Sequence, residues 1–529
     1  MHLSVSTIVM ASSEFQVEKV AIIGAGISGL VAAKECLEEG LQPTVYEARP
    51  YIGGQWHYEE PDPLTGEAFS SVYDGVVSNT CALRSQFSDF PMDPAQYPDY
   101  PTHRDYLRYI HEYAAHFGLE KYILLNAEVL SCDRQGHQWK VATRTTEELF
   151  DALFICTGKE SVPYIPEVTG LERFEGRAIH SHIYRQPDVY AGKRVAVIGL
   201  GSSAVDISSE VSKHAASCHL ITQRGGWVLP RYVNGKLVES LQSRLVEYLL
   251  PRSILTFSYE LIHRLVVGEV PTALKPNHGI LTANPVVSNE FLDHIRAGSI
   301  TPHRASVESF TERTIVLSNG ETIEVDEVIF CTGYNATMPV IAEETYRGEK
   351  QNSVRLYRFV NSPTYDNLFF LGLVEFLGPI HPTVELQARW AVASLTRRIH
   401  LPSREKMQKE IKKAEKEQEK NFVNSRRHTI AVPTLGYQEA LAADLGVKPN
   451  FRKLVQKYVL SRKPAEGLSI VNFYYNGMIT SAPYRLFGHG NKPELAEATI
   501  LRMARHDDKL SETEEVFLTA DRVVWNATE

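Results

Sequence analysis

A short apolar run, Val20 to Ile23, leads straight into Gly24-Ala-Gly26-Ile-Ser28-Gly29, and an apolar-periodic stretch through Leu30, Ala33 and Leu37 follows. The same grammar returns at Val195 to Ile198, ahead of Gly199-Leu-Gly201-Ser202-Ser203-Ala204. Strand, glycine turn and helix in this order constrain the fold strongly: the run reads as a buried parallel strand, and the turn lets a helix start close against it. In the first copy Gly24 allows the tight turn, Gly26 lets the backbone approach a pyrophosphate, and Gly29 lets helix and strand pack closely. The helix N-terminus then offers free N–H groups to phosphates. Two copies predict two dinucleotide sites.

The strands that come next differ at their ends. Thr44-Val45-Tyr46 runs into Glu47, where an acid meets a ribose hydroxyl, with Arg49 just beyond. His219 to Thr222 runs instead into Gln223-Arg224, and a cation there suits a 2′-phosphate, so NADP is expected at the second site.

Phe174, Gly176, His180, Ser181 and Tyr184 of FEGRAIHSHIY lie just upstream of the second fingerprint. GGQW at Gly53 to Trp56, SNT and SDFP between Ser78 and Pro91, IFCTGY at Ile329 to Tyr334 and ELQARW at Glu385 to Trp390 complete an ordered set. From about Lys19 to about Leu501 the chain resembles the flavin-containing monooxygenases. The resemblance implies FAD at the first site and NADPH at the second. The reduced flavin reacts with O2, and its C4a-hydroperoxide passes one oxygen to a soft nucleophile, a small-molecule amine or sulfide. The cofactor carries the reactive oxygen, so the protein binds, orients and excludes water.

The resemblance also implies roles. Asn79 lies beside the reacting part of the flavin, and Gly54, Gln55, Trp56, Thr80 and Gln387 join Gly24, Gly26, Ser28, Gly29, Glu47 and Arg49 around FAD. Gly199, Gly201, Ser202, Ser203 and Arg224 hold NADP. After Asn79 the chain reads CALRSQF where many animal relatives read SKEMMCF, which leaves the substrate wall open. His180 reads as structural. Related Baeyer-Villiger enzymes carry tryptophan and then proline or aspartate where this chain has Tyr184-Arg185, so ketone oxidation is the alternative. A catalytically silent FAD and NADP sensor is a second alternative. A disulfide reductase needs a redox-active cysteine pair, and Cys36, Cys81, Cys132, Cys156, Cys218 and Cys331 show neither CxxC nor metal spacing. They read as reduced thiols of a cytosol-facing protein.

The expected fold is α/β, with two nested Rossmann-like dinucleotide-binding domains, an FAD domain carrying an inserted NADP domain. At 529 residues the chain exceeds one ordinary core. Residues 1–17 read as a leader, 18–165 as the first part of the FAD domain, and 166–327 as the NADP domain with a helical insertion at about 236–290. Residues 328–445 read as the second part of the FAD domain, with 446–529 packing on it. The boundary at 328 rests on Val328 to Gly333, which repeats Leu153 to Gly158 and is read as returning the chain to the FAD domain. The charged stretch Arg404 to Lys420 predicts a solvated helix.

A net charge of −9 argues against a nucleic-acid partner. No run of about eighteen apolar residues exists, so no transmembrane span is expected. Leu237, Leu241, Leu245, Leu249 and Leu250, then Ile254 to Val267, fit an amphipathic helix pair that lies on a bilayer, covers a substrate tunnel or packs internally. The expected location is cytoplasmic, with peripheral contact to the ER membrane and a homodimer left open.

Overall fold

The computed structural model describes residues 17–505, apart from 377, 461 and 462. The expected leader therefore lies almost wholly outside the described residues, as does the chain beyond 505.

Two parallel sheets organise the molecule. The first half supplies β1 (Lys19–Ile23), α1 (Ile27–Glu38), β2 (Gln42–Tyr46), β3 (Ile123–Leu124) and β4 (Ala152–Ile155). The nested half supplies β5 (Arg177–His180), β6 (Arg194–Ile198), α2 (Ser202–Val211), β7 (Ser217–Thr222), β8 (Thr301–Arg304) and β9 (Glu327–Phe330). Helices α3 (Arg244–Leu249) and α4 (Arg252–Val267) lie between β7 and β8. The chain rejoins the first sheet at β10 (Leu368–Phe370). The orders are β10-β4-β1-β2-β3 and β8-β7-β6-β9-β5, every pairing parallel. Buried on both faces, central strands read as near-continuous apolar runs, and Val20 to Ile23 are buried throughout.

One expected boundary needs correcting. Val328 to Phe330 does not return the chain to the first sheet. It pairs with Val195 to Ile198 on one side and Ala178 to His180 on the other, inside the second sheet. The repeated Cys-Thr-Gly turn belongs to each fingerprint's own sheet; the chain re-enters the first core through Ala336 to Ile341, and its next strand in the first sheet comes at Leu368.

The helices that follow include α5 (Ile380–Leu395), α6 (Arg404–Asn421) and α7 (Pro464–Asn476). Helix α5 packs along α1. Helix α6 has the solvated character its charges predict, burying only Met407 and Ile411. The C-terminal segment is clamped by buried charge. Arg485, fully buried, donates from Nη2 to Glu35 Oε1 at 3.1 Å, Asp89 Oδ2 at 2.9 Å and Glu385 Oε1 at 2.7 Å.

Candidate functional site

The first fingerprint is built by close backbone approach. Gly24 has φ +106°, its N–H donates to Tyr46 O at 2.8 Å, and a Cβ there would sit 2.6 Å from Cys156 O. No L side chain fits that conformation and space. Helix α1 starts at Gly26 with no side-chain cap and no acid in its first turn. Its free N–H groups open onto a cavity of about 600 Å³ lined by Gly24, Gly26, Ser28 and Glu47, with Gly54, Gln55 and Trp56 opposite. That volume suits a large cofactor, and an uncapped helix start suits its phosphates.

Glu47 stands on the wall of this cavity and is 4% exposed. Its Oε2 accepts the Ala25 N–H at 2.7 Å and its Oε1 the Arg49 N–H at 3.0 Å. Burial pushes its carboxyl up, and these two bonds oppose the rise. Arg49 stacks 5.0 Å from the Phe69 ring, and its Nε is buried without a partner. Lys159 and Glu375, also on this wall, pair at 2.6 Å, and Asn284 of the nested half donates to the same carboxylate at 2.8 Å. The fingerprint reading missed that polar rim because its members are scattered in sequence.

Asn79 and Thr80 are not among the residues that line this cavity. Trp56 stacks on Tyr106 with ring centroids 4.2 Å apart, and the Tyr106 hydroxyl lies 3.4 Å from Ser78 Oγ. Thr80 Oγ1 shares a hydrogen bond with Ser85 at 2.7 Å. Asn79 Oδ1 is buried and has no hydrogen-bond partner. An unsatisfied buried amide oxygen is costly, so this atom fits a ligand-facing role. Gln387 is different. It is fully buried, accepts the Gly372 N–H at 2.8 Å and donates to Tyr437 Oη at 2.7 Å. It is absent from the cavity wall and braces Gly372, which does line it.

The second fingerprint repeats the first almost atom for atom. Gly199 N–H donates to Ile221 O at 2.9 Å, and a Cβ there would meet Cys331 O at 2.4 Å. Helix α2 starts at Gly201 without a side-chain cap or a first-turn acid, so the amides at Ser202 and Ser203 are free. Arg224 is exposed at the end of β7. Arg304, ending the adjacent β8, donates to Arg224 O at 3.3 Å and also to Lys275 O. His278 feels both arginines, which together with burial hold its imidazole below its usual pKa. Two cations and no paired carboxylate among the described residues make a fitting seat for a 2′-phosphate. Arg304 was not singled out in the sequence, where nothing marks which strand will lie beside β7.

The FEGRAIHSHIY segment fastens the halves together. His180 donates from Nε2 to Gly333 O at 3.1 Å and accepts the His182 N–H on Nδ1, so both ring nitrogens are used. Burial lowers its pKa to about 4, and it stays neutral. His182 donates to Ala68 O at 2.7 Å. Arg185 donates to Glu59 O at 2.6 Å and Ser70 O at 2.8 Å in the first half, and to His182 O and Tyr184 O in its own. Tyr184 donates to Glu210 on α2 at 2.7 Å.

All six cysteines are free, and burial raises the thiols of each from Cys36 to Cys331, so none is poised as a thiolate. The arrangement offers two phosphate-binding helix starts, an acid and a cation that discriminate the nucleotides, and an amide with a free acceptor.

Residues 17–522 match the family model described as flavin-binding monooxygenase-like. A dimethylaniline monooxygenase (N-oxide-forming) of Macaca mulatta is 33% identical over 492 residues, 89% of each chain. A flavin-containing monooxygenase of Mus musculus is 36% identical over 457 residues, 83% of this chain and 84% of its own. Among solved structures, an S-allyl-L-cysteine S-oxygenase from Allium sativum aligns with a TM-score of 0.61 at 26% identity, covering 83% of this chain and 92% of that one.

Proposed function

The chain belongs to the flavin-binding monooxygenase-like family, and we propose that it oxygenates the nitrogen of amines and the sulfur of sulfides. It is a flavin-dependent monooxygenase using FAD, NADPH and O2. Bound FAD supplies the redox chemistry, drawing reducing equivalents from NADPH and activating O2.

The protein's share is binding, orientation and water exclusion. The amides at the start of α1 hold the pyrophosphate of FAD, and Glu47 accepts from its ribose. The start of α2 with Arg224 holds NADPH. A bound flavin would have Asn79 beside its reacting part, where the neutral amide would offer an acceptor, Oδ1, and an N–H donor without delivering a proton. The unpartnered Asn79 Oδ1, one residue from the Ser78 hydroxyl that lies 3.4 Å from the hydroxyl of Tyr106 in the Trp56 stack, carries this reading. Ketone oxidation and a silent sensor are not favoured: the Macaca mulatta relative is named for N-oxide formation, and both phosphate-binding helix starts are uncapped. The test is a coupled assay with purified FAD-loaded protein, NADPH and a panel of amines, sulfides and ketones. N- or S-oxide formed in step with NADPH consumed supports the reading, while H2O2 without product from every compound overturns it.

No helix among the described residues is long and apolar enough to cross a membrane. A peripheral contact is favoured by α4. It buries only Leu255 and His263, and exposes Ile254, Phe257, Leu261 and Leu265 in a helical stripe beside Leu249 and Leu250. The exposed Arg264 borders that stripe, as suits an anionic bilayer surface. Co-sedimentation with anionic vesicles tests it: Phe257→Glu with Leu265→Glu abolishes binding if the stripe is the contact, and equal binding by the variant rejects it.

A further inference from the structure

Arg84 follows Asn79 by five residues and is 4% exposed. Its Nη1 donates to Gln242 Oε1 at 3.0 Å, and its Nε is buried without a partner. Its Nη2 lies against Gly378, where a Cβ would come within 3.4 Å. Gly378 lines the large cavity beside the first fingerprint. Gln242 lines a second, smaller cavity of about 70 Å³ whose walls are otherwise mostly apolar, among them Leu241, Ile262 and Val266. The guanidinium lines neither cavity itself but touches a wall residue of each, Gly378 and Gln242, and its Nε has no partner.

No carboxylate pairs with Arg84 among the described residues. Glu247, an acid that Arg84 influences, lies 3.5 Å from the Tyr259 hydroxyl, and burial pushes its carboxyl up. Arginine stays charged in any protein interior and is seldom buried without an anion or a full set of acceptors. A buried guanidinium with an unused donor, packed directly against a glycine of a cavity wall, is the arrangement that an incoming carboxylate completes. Gly378 has no side chain to block that approach.

We propose that Arg84 binds a carboxylate of the substrate, so that the preferred nucleophiles are carboxylate-bearing sulfides or amines whose apolar substituent occupies the smaller cavity. This rests on the oxygenation reading above and narrows it to a substrate class. The planar fork of the guanidinium matches a carboxylate in shape as well as charge, whereas an uncharged amide leaves the arginine charge unmatched.

The FAD-loaded protein is assayed with NADPH on 3-(benzylthio)propanoate and its primary amide, quantifying sulfoxide and H2O2. The expected kcat/KM favours the acid by at least about tenfold, and Arg84→Met brings the ratio close to one, with Arg84→Lys between. The ratio, taken on one preparation, separates lost recognition from lost flavin or fold. In parallel, 3-phenylpropanoate, which has no sulfur to oxidise, perturbs the flavin absorbance of the wild type with a Kd that rises about tenfold or more in Arg84→Met. Equal sulfoxidation of acid and amide by the wild type overturns the assignment of Arg84 and leaves the oxygenation reading standing. H2O2 alone, from both compounds and from the wider panel, overturns the oxygenation reading and this assignment with it.

Discussion

Tyr73 donates its hydroxyl proton to Asp206 Oδ2 at 2.9 Å, joining the segment that carries Asn79 to the helix that opens the second nucleotide site. Burial raises the Asp206 pKa from 3.8 to about 7. Between those values the folded protein keeps a proton that the unfolded chain has lost, so stability falls as pH rises through that window. Asp206→Asn removes this fall. Melting curves from pH 4 to 8 are therefore expected to show the variant gaining on the wild type with rising pH, and parallel curves would contradict it.

Replacing Asn79 with Asp keeps the size and removes the amide donor. FAD is expected to remain bound, while product formation per NADPH falls by about 100-fold and H2O2 rises, the scale of losing one donor at a reacting centre. Unchanged coupling of NADPH to product would remove Asn79 from the chemistry.

Arg304→Ala takes away one of the two cations at the neighbouring ends of β7 and β8. NADP+ affinity, measured by calorimetry, is expected to weaken by about tenfold or more, with NADH kinetics little changed because NADH lacks the 2′-phosphate. An equal loss for both nucleotides would mean Arg304 supports the loop and not the phosphate.

Arg485→Met leaves Glu35, Asp89 and Glu385 buried around a missing cation. Removing one partner from a buried ionic group costs roughly 3–5 kcal/mol, so the midpoint in denaturant is expected to drop sharply. A variant as stable as the wild type would show the clamp to be dispensable.

Much of this was legible in the residues. Both fingerprints, the strands that feed them, the solvated helix from Arg404 and the helix pair before Val267 follow from spacing and apolar periodicity, because local sequence decides them. The boundary at 328 was misread because Cys156-Thr-Gly158 and Cys331-Thr-Gly333 are alike, and likeness alone does not say which sheet a strand joins. Gln387 sits on an α5 whose residues from His381 to Ala393 are all buried, so its pattern does not reveal that its amide is consumed by Gly372 and Tyr437. Arg84 and Arg304 acquire meaning only from neighbours distant in the chain, Gly378 and Arg224.

The late return of the chain to the first sheet, at Leu368, bears on how the molecule is made. Strand β10 pairs with β4, and the whole nested half, from β5 through β9, lies between them in sequence. During synthesis the second sheet has all its strands outside the ribosome before the first has its last one, so the inner unit can fold while the outer one still waits for an edge. A chain stopped just short of Leu368 would therefore present a finished nicotinamide-nucleotide module tethered to a flavin module with an open sheet.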